Sequence, residues 1–283
     1  MTAIGNPGDL VHVTSTPLSL AGGAVAALID EAALAPKPGL VDPRAMSAHD
    51  DMDMDTLNAS ARALGPIFAE LAEMAQARAP DLRLRADVGA AGRRGEQQML
   101  AATRGVNTHR GALWALGLLI CGAVNADGAD GITEYGAELA RLPDPMLTAP
   151  REHSHGAVAE RRYHVSGARG EAQSGFPHVR LALNVLRDAR MAGLAPVQAR
   201  LQALIELIAR LDDTCLLYRG GIAGLTAMQQ AARAVLAEGG PNTPRGARAL
   251  AKMDRQARRG RLSPGGSGDL LAAAMFLDEL TRL

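Results

Sequence analysis

The sequence predicts an all-α fold: a single compact domain of about ten helices, with its functional site formed by the loops between them. Alanine is the commonest residue, with 55 copies among 283, whereas only 7 side chains are aromatic. This composition, rich in leucine and poor in β-branched residues, favours helices over strands. Apolar residues also recur at helical spacing in several segments, and no segment alternates strictly with period two.

The helices can be placed in order along the chain. The first is predicted to begin at Thr16 and Pro17, since Thr is a good N-cap and Pro suits the first helical position. Pro36 and Pro38 end it. Further apolar stripes run through residues 57–74, 108–124, 177–191, 197–211, 222–236 and 269–283. We assign residues 1–15 to a flexible N-terminal tail and residues 16–283 to one all-helical domain.

Charge and cysteine content exclude several classes of protein. Lys and Arg together number 30, as do Asp and Glu, so no broad charge favours nucleic acid or an anionic membrane as a partner. Cys121 and Cys215 are isolated, which gives neither a disulfide framework nor a zinc motif and fits a reducing cytoplasm. The longest apolar run, residues 111–124, is shorter than the roughly 20 residues of a membrane-spanning helix. We therefore expect a cytoplasmic protein without a targeting segment.

Glycine, proline, histidine and charged residues collect in five connectors between the stripes. These connectors are residues 36–55, 105–111, 153–177, 212–221 and 263–269. Loops held by a rigid scaffold often carry function. Our working hypothesis is that the five connectors meet at one site.

The first connector offers a lysine and a group of carboxylates. Two prolines and a glycine in the segment 36–39 fix the place of Lys37. Asp51, Asp53 and a third aspartate resemble the start of an EF-hand loop, but Thr56 stands where that loop needs Gly. Two interpretations stay open: an acidic cap of the next helix, or oxygen ligands for Mg²⁺.

The second and third connectors offer anion-binding groups. Asn107 or Thr108 is expected to cap the most apolar helix, whose N-terminus, flanked by His109, is also suited to an anion. Arg169 and Glu171 lie between glycines that let a ligand approach the backbone. They form either an internal ion pair or part of a binding site. His153 and His155 have no third ligand nearby, so no zinc site is predicted.

The fourth and fifth connectors combine acids, an arginine and a glycine-rich loop. Asp213 and Arg219 are separated by roughly two helical turns and can flank one pocket. The segment 263–269 (SPGGSGD) opens the last helix and lacks the GK[ST] of a P-loop. Its backbone N–H groups can still bind phosphate at a helix N-terminus, although a flexible cap is an equal interpretation.

Taken together, the connectors match a known family. The order KPGLVD, SAHDDMD, GVNTHRG, GARGEAQSGFPHV, DTCLLYRGG and SPGGSGDLLA spans residues 31–272 and resembles the triphosphoribosyl-dephospho-CoA synthases. The resemblance implies an all-helical, Mg²⁺-dependent enzyme that joins the triphosphoribosyl group of ATP to 3′-dephospho-CoA and releases adenine. Its product is the precursor of an acyl-carrier prosthetic group and passes to a carrier-protein transferase.

Two branches of this family serve citrate lyase and malonate decarboxylase. Arg110 and the run 112–117 (ALWALG) look more like the malonate decarboxylase branch. The chain departs from the family at Cys215, where a polar residue is common, and at Tyr218, where the family has a histidine. Close packing of small Ala and Gly side chains is compatible with a homodimer.

The chemistry of such a transfer suggests roles for these residues. Breaking the N-glycosidic bond builds oxocarbenium-like charge, which a carboxylate stabilises, and a second group takes the proton of the attacking hydroxyl. We expect Glu171 and Asp213 in these catalytic roles. Two charges 4 Å apart interact by roughly 4 kcal/mol at an effective dielectric of 20, so bare carboxylates would repel the triphosphate. Mg²⁺ is therefore expected between the triphosphate and some of Asp51, Asp53, Asp213 and Asp269. The residues expected to bind ATP and its phosphates are Lys37, Asn107, His109, Arg169, Arg219, Gly265, Gly266 and Ser267.

Two other functions compete with this interpretation. The His49-Asp50 pair suggests an all-α metal-dependent phosphohydrolase, but the only upstream histidine, His12, lies in a polar segment. A non-catalytic helical partner subunit is the third alternative, in which the connectors are surface caps. The released product separates the two enzymes, since the transferase frees adenine and the hydrolase frees phosphate.

Overall fold

The computed structural model describes residues 16–147 and 155–282. Within these two ranges it contains twelve helices and no strand. The helices are α1 (Pro17–Ala33), α2 (Met54–Ala75), α3 (Leu82–Ala102), α4 (Arg110–Ala123), α5 (Gly128–Arg141), α6 (His155–Tyr163), α7 (Gly167–Gln173), α8 (Pro177–Met191), α9 (Pro196–Arg210), α10 (Thr214–Ala237), α11 (Pro244–Arg259) and α12 (Gly265–Leu280). The predicted all-α class and single domain are confirmed.

Short polar side chains start several of these helices. Thr16 caps α1 by accepting a hydrogen bond from an amide of the first turn, as predicted. Asp81 caps α3 and Thr243 caps α11 in the same way, at 2.6 Å and 3.0 Å. Such caps satisfy backbone donors that have no partner within the helix.

Helix α12 lies at the centre of the molecule. Every residue from Leu270 to Asp278 is buried, so the helix has no solvent-facing side along this stretch. It packs against α1, α4, α8 and α9. A helix that is apolar all round is stable only when it is enclosed by others. The central position of α12 brings its first turn, residues 265–268, to the middle of the fold.

The structure contains more helices than the apolar stripes indicated. Five were not among the named stripes: α3, α5, α6, α7 and α11. Helices α6 and α7 lie in a segment that was predicted to be a connector, and so do residues 214–220, the first part of α10. Gly221 separates this part from the predicted helix, because its φ of 60° and ψ of −164° interrupt the helical backbone.

Among the described residues, no single helix is long and apolar enough to cross a membrane. Helices α4 and α5 reach that threshold only when they are taken together, and a bend of 116° separates them. The predicted tail, residues 1–15, and His153 lie outside the described residues.

Candidate active site

One cavity of about 790 Å³ is lined by residues from all five connectors. The hypothesis that the connectors meet at one site is therefore confirmed. The volume falls within the range of ordinary small-molecule sites. We call one region of this cavity the carboxylate end, defined by Glu31, Lys37, His109, Asp213 and Asp269. We call another the arginine end, defined by Arg85, Arg93, Trp114 and Arg169.

Asp213 joins the first turns of two helices. It is the N-cap of α10, and its Oδ1 accepts hydrogen bonds from the amides of Cys215, at 2.9 Å, and Leu216. Its Oδ2 accepts the Ser267 amide at 2.8 Å and the Ser267 hydroxyl at 3.0 Å, while the Gly266 amide also reaches Oδ1. Burial raises the pKa of Asp213, and these hydrogen bonds act in the opposite direction.

This arrangement changes the expected role of the glycine-rich segment. The amides of Gly266 and Ser267, which we expected to bind phosphate, already donate to Asp213. Ser267 is fully buried and does not line the cavity, whereas Gly265 and Gly266 do. The protein's own carboxylate therefore occupies the place at the N-terminus of α12 where an anion was expected.

Asp269 faces the same cavity with far fewer hydrogen-bond partners. It accepts a hydrogen bond from the Ala112 amide, and its carboxylate packs so closely on Gly111 that a Cβ there would collide with it. Burial, followed by the negative charges of Glu31 and Asp213, raises the pKa of Asp269 well above its usual value. Asp269 is thus a partly buried carboxylate that has few hydrogen-bond donors and two other carboxylates near it among the described residues.

Lys37 balances part of this negative charge. Its Nζ donates to Glu31 Oε1 at 2.9 Å and to the Glu31 carbonyl at 2.7 Å, and the side chain is only 1% exposed. The Lys37 amide donates to Asp42, which fixes the connector. Lys37 was expected to bind a phosphate directly, but its ammonium is already engaged by Glu31.

His109 lies buried beside this pair and is held by a hydroxyl chain. The Thr108 hydroxyl donates to Ser60 Oγ at 2.6 Å, and Ser60 Oγ lies 2.8 Å from Nδ1 of His109. When the Ser60 hydroxyl donates to Nδ1, the neutral ring carries its proton on Nε2. Burial, and secondly the charge of Lys37, lowers the pKa of His109 to about 4. His109 can donate a hydrogen bond to a phosphate, but it adds no positive charge at neutral pH.

Glu171 binds the start of α8 rather than Arg169. Its Oε1 accepts the amides of His178, at 2.7 Å, and Val179, and its Oε2 lies 2.7 Å from Nδ1 of His178. This hydrogen bond raises the pKa of His178, against the effect of partial burial. The predicted internal pair of Arg169 with Glu171 is wrong. The carboxylate instead orients an imidazole that lines the cavity.

At another part of the rim, His49 connects the first and fourth connectors. Arg219 donates to its Nδ1 at 2.9 Å, so Nε2 carries the ring proton and donates to Ser263 Oγ at 2.7 Å. Asp51 is largely exposed beside this ring and lines the cavity. Asp53 lies outside the cavity and caps α2 by accepting the Thr56 amide at 2.8 Å. For Asp53 the helix-cap interpretation is confirmed.

Three further residue types noted in the sequence can be placed in the structure: the residues at the start of α4, the cation Arg169 and the two cysteines. The N-cap of α4 is His109, which makes no side-chain cap hydrogen bond, so the prediction that Asn107 or Thr108 caps this helix is wrong. Asn107 Oδ1 accepts a hydrogen bond from the Arg110 amide at 3.3 Å. Arg169 is exposed to the cavity, and within the described chain it makes no hydrogen bond or ion pair. Cys121 is fully buried, whereas Cys215 is only partly buried and lines the cavity.

Magnesium fits the carboxylate end if the substrate supplies ligands. Among the described residues, no three His, Cys, Asp or Glu side chains come close enough to hold a metal by themselves. Mg²⁺ commonly takes only one or two carboxylates and adds phosphate oxygens and water. The oxygen donors of Asp269 and Glu31 match this chemistry, because both carboxylates line the same cavity and Glu31 acts electrostatically on Asp269.

Four cavity residues were missed by sequence reasoning. Glu31 lies inside an apolar stripe, and Arg85 lies in a helix that showed no clear stripe. His178 follows Pro177 at the start of α8, where the GFPHV motif was available as a signal. Trp114 was noted only as part of the resemblance. Each becomes visible because helices distant in sequence close around the same space.

Comparison with known proteins agrees with this geometry. A protein from Klebsiella pneumoniae named 2-(5''-triphosphoribosyl)-3'-dephosphocoenzyme-A synthase is 50% identical over 275 residues, covering 95% of this chain and 97% of that protein. One from Pseudomonas fluorescens, described as a probable enzyme of the same name, is 50% identical and covers 92% and 91%. The crystal structure of a candidate triphosphoribosyl-dephospho-CoA synthase from Archaeoglobus fulgidus shares the fold, with a TM-score of 0.57 at 16% identity, covering 79% of this chain and 98% of that one.

A family model matches almost the whole chain. The model is that of CitG, ATP:dephospho-CoA triphosphoribosyl transferase, and it covers residues 17–283. The matched range includes all five connectors and every residue of the two cavity ends. This chain belongs to the ATP:dephospho-CoA triphosphoribosyl transferase family.

Proposed function

We propose that this protein transfers the triphosphoribosyl group of ATP to 3′-dephospho-CoA and releases adenine. The observation that carries the proposal is one cavity in which several carboxylates lie near possible phosphate-binding groups supplied by the five connectors. Membership of the family supports the same substrates. The cavity, rather than the overall helical fold, supplies the chemistry.

In the proposed reaction one bond of ATP breaks and one bond to the acceptor forms. The glycosidic bond between ribose C1 and the adenine nitrogen breaks, and its electron pair leaves with adenine. A hydroxyl oxygen of the acceptor bonds to C1, and the hydroxyl proton finally resides on adenine, so atoms and charge balance. Positive charge grows on the ribose in the transition state, and a nearby carboxylate stabilises it. Asp269 suits this role, because its oxygens face the cavity with few competing donors.

We assign the proton transfer to His178 with Glu171 as its positioning residue. Glu171 holds Nδ1 of His178 and leaves the other ring nitrogen for the cavity. An imidazole whose pKa is raised by a carboxylate can take a proton from a hydroxyl and return it to a leaving base. The expected catalytic role of Glu171 is thus proposed to act through His178. For Asp213, its hydrogen bonds favour the positioning of α10 and α12.

The phosphates of ATP are proposed to lie at the carboxylate end. Asp269 would hold Mg²⁺ at this end, and the ion would neutralise charge on the triphosphate. Asp51, at another part of the rim, stays a predicted ligand. His109 donates from Nε2, and Arg219 and Asn107 provide further donors near the rim. Lys37 contributes indirectly, because it compensates Glu31 and so keeps this end open to a metal-bound phosphate.

The product's destination is a finer proposal. We propose malonate decarboxylase rather than citrate lyase, supported by Arg110 and the run 112–117, which resemble that branch. A carrier-protein transferase as recipient, a homodimer and a cytoplasmic location stay predictions of the same kind.

Product analysis tests the reaction directly. Purified protein is incubated with ATP, Mg²⁺ and 3′-dephospho-CoA, and the acceptor is examined by mass spectrometry. We expect the acceptor to gain one triphosphoribosyl group while all three phosphates are retained. An unchanged acceptor together with inorganic phosphate indicates the phosphohydrolase instead. The structure does not favour that alternative, since His49 is engaged by Arg219 and Ser263, and among the described residues no three His, Cys, Asp or Glu side chains are grouped to hold a metal.

A further inference from the structure

Arg85 is a buried guanidinium whose hydrogen bonds are incomplete. It is 5% exposed and lines the arginine end of the cavity, yet its Nε and Nη1 donate to no partner. Nη1 lies 3.6 Å from Oδ2 of Asp144, beyond a good hydrogen bond, because Arg93 already occupies that oxygen at 2.7 Å. Buried donors without partners are costly and rare in folded proteins, so such a group indicates a missing acceptor.

The surroundings of Arg85 are suited to an anionic group attached to a flat ring. Its guanidinium carbon lies 5.3 Å from the centre of the Trp114 ring, and the indole is fixed because its Nε1 donates to the Ala168 carbonyl at 3.1 Å. Arg169, next to Ala168, faces the cavity. On the α3 side, Gly92 leaves open space, since a Cβ there would meet no atom within 4 Å.

The arginine end is separate from the carboxylate end. Arg110, next to the Gly111 that packs on Asp269, pairs with Glu96 of α3 at 2.5 Å. Arg85 lies eleven residues before Glu96 on the same helix. At a rise of 1.5 Å per residue the two backbone positions are about 16 Å apart along α3. The two ends of the cavity therefore adjoin different parts of α3, and we treat them as two subsites.

We propose that the arginine end, with Arg85 and Arg169 as its donors, binds the diphosphate of the acceptor nucleotide. This proposal rests on the proposed function, which requires two adenosine nucleotides in one cavity. 3′-Dephospho-CoA carries a diphosphate between its adenosine and its pantetheine arm. Guanidinium groups bind phosphate oxygens through two parallel hydrogen bonds, which is the pairing that the unsatisfied nitrogens of Arg85 offer.

The net charge of the two cavity ends indicates which end binds the acceptor diphosphate and which binds the ATP triphosphate. Around the arginine end, the described cavity lining also includes Arg161, Asp144 and Glu160. Four arginines against two carboxylates leave positive charge in excess among these residues. A phosphate can bind there without a metal. The carboxylate end repels a bare phosphate and accepts one only with a cation. The metal-bearing triphosphate therefore belongs at the carboxylate end and the metal-free diphosphate at the arginine end.

Equilibrium binding tests the assignment in three proteins: wild type, Arg85→Met and a matched control, Arg94→Met. Arg94 lies on the same helix but outside the cavity, where it pairs with Glu70. Titration calorimetry with 3′-dephospho-CoA is performed in a chelator, and titration with ATP is performed in excess Mg²⁺. We expect Arg85→Met to weaken acceptor binding by about tenfold or more, the usual loss for a charge-assisted contact, while ATP binding and the control stay within about twofold.

Arg169→Met provides a second variant in case the buried substitution impairs folding. Arg169 is exposed, so its replacement leaves the core intact, and we expect it to weaken acceptor binding in the same direction. Unchanged acceptor affinity in both variants overturns the proposal. So does a loss confined to ATP with Mg²⁺, which would place the triphosphate at the arginine end.

A separate arm distinguishes failure of this assignment from failure of the proposed function. Adenine release by the wild-type protein is measured first, and inorganic diphosphate is used as an additional probe. If the wild type releases no adenine but binds diphosphate through Arg85, the anion site exists and its assignment to this acceptor is wrong. If the wild type releases adenine but the Arg85 substitution does not change acceptor affinity, the proposed function is supported and the assignment of the arginine end is wrong.

Discussion

Asp213 and Ser267, 54 positions apart in sequence, hold the starts of α10 and α12 together at the carboxylate end. One carboxylate oxygen of Asp213 accepts both the amide and the hydroxyl of Ser267, at 2.8 Å and 3.0 Å. The other oxygen caps α10 through Cys215. Because α12 is the central helix, this contact sets the position of the cavity wall on which Asp269 lies.

Asp213→Asn is expected to destabilise the protein. Whichever way the new amide is turned, its NH₂ group faces backbone donors, and each buried unsatisfied group costs about 1–3 kcal/mol. We therefore expect the free energy of unfolding in urea to fall by about 2 kcal/mol or more. Asp212, the exposed neighbour, gives a matched control: Asp212→Asn should change the free energy of unfolding by less than about 0.5 kcal/mol. Equal effects of the two substitutions would show that the capping contact contributes little.

Asp269 should make stability depend on pH in a defined direction. Its folded-state pKa is raised well above the usual 3.8, so the folded protein binds more protons than the unfolded chain above about pH 4. This contribution is fully present below the unfolded pKa and is lost as the pH rises through the folded pKa. Asp269→Asn removes the effect, so its stability relative to wild type should increase from pH 4 upward in metal-free buffer. A stability difference between this variant and the wild type that stays constant with pH would contradict a raised pKa for Asp269.

His109 should be neutral throughout the working range of the protein. Its pKa is lowered to about 4, and its Nδ1 accepts from Ser60, so ¹⁵N NMR should show a proton on Nε2 and titration only below about pH 5. The folded state then binds fewer protons than the unfolded state between pH 4 and 6.5. Stability from this group is lost as the pH falls through that window. Protonation of His109 near pH 6.5 would mean that the ring is not enclosed as described.

Glu171→Gln should act through His178. The substitution removes the charge that raises the pKa of His178, so an NMR titration should show that pKa falling. We expect kcat to drop by about 10²-fold or more, the usual scale of general acid–base catalysis, with little change in KM. His164→Asn is a suitable control, since His164 is exposed and lies outside the cavity. A loss expressed mainly in KM would indicate binding rather than proton transfer.

The sequence predicted the fold class and the convergence of the five connectors, but not all helices. In α3 the buried positions are Leu84, Arg85, Val88, Ala91, Gly95 and Met99, so small and charged residues interrupt the apolar signal. Helix α7 has seven residues, too few for a periodic pattern to emerge. Their positions are decided by packing against neighbours rather than by local preference.

The sequence predicted several of the residues that line the candidate site, but not the hydrogen bonds that they make. Glu171 and Asp213 were identified correctly as cavity residues. Their amide partners come from other segments, such as α8 and α12, and spacing along the chain does not show such contacts. Arg85 lies in no recognisable motif. Only the structure, in which Trp114 and Asp144 lie around it, shows that its guanidinium lacks acceptors.

The stoichiometry of adenine release tests the central claim most directly. Purified protein is given ATP and Mg²⁺ with and without 3′-dephospho-CoA, and free adenine is quantified by chromatography. The account predicts one adenine for each acceptor consumed, none without acceptor, and none when the metal is removed by a chelator. Adenine that accumulates equally without acceptor, or phosphate release in its place, would contradict transfer to dephospho-CoA in this cavity.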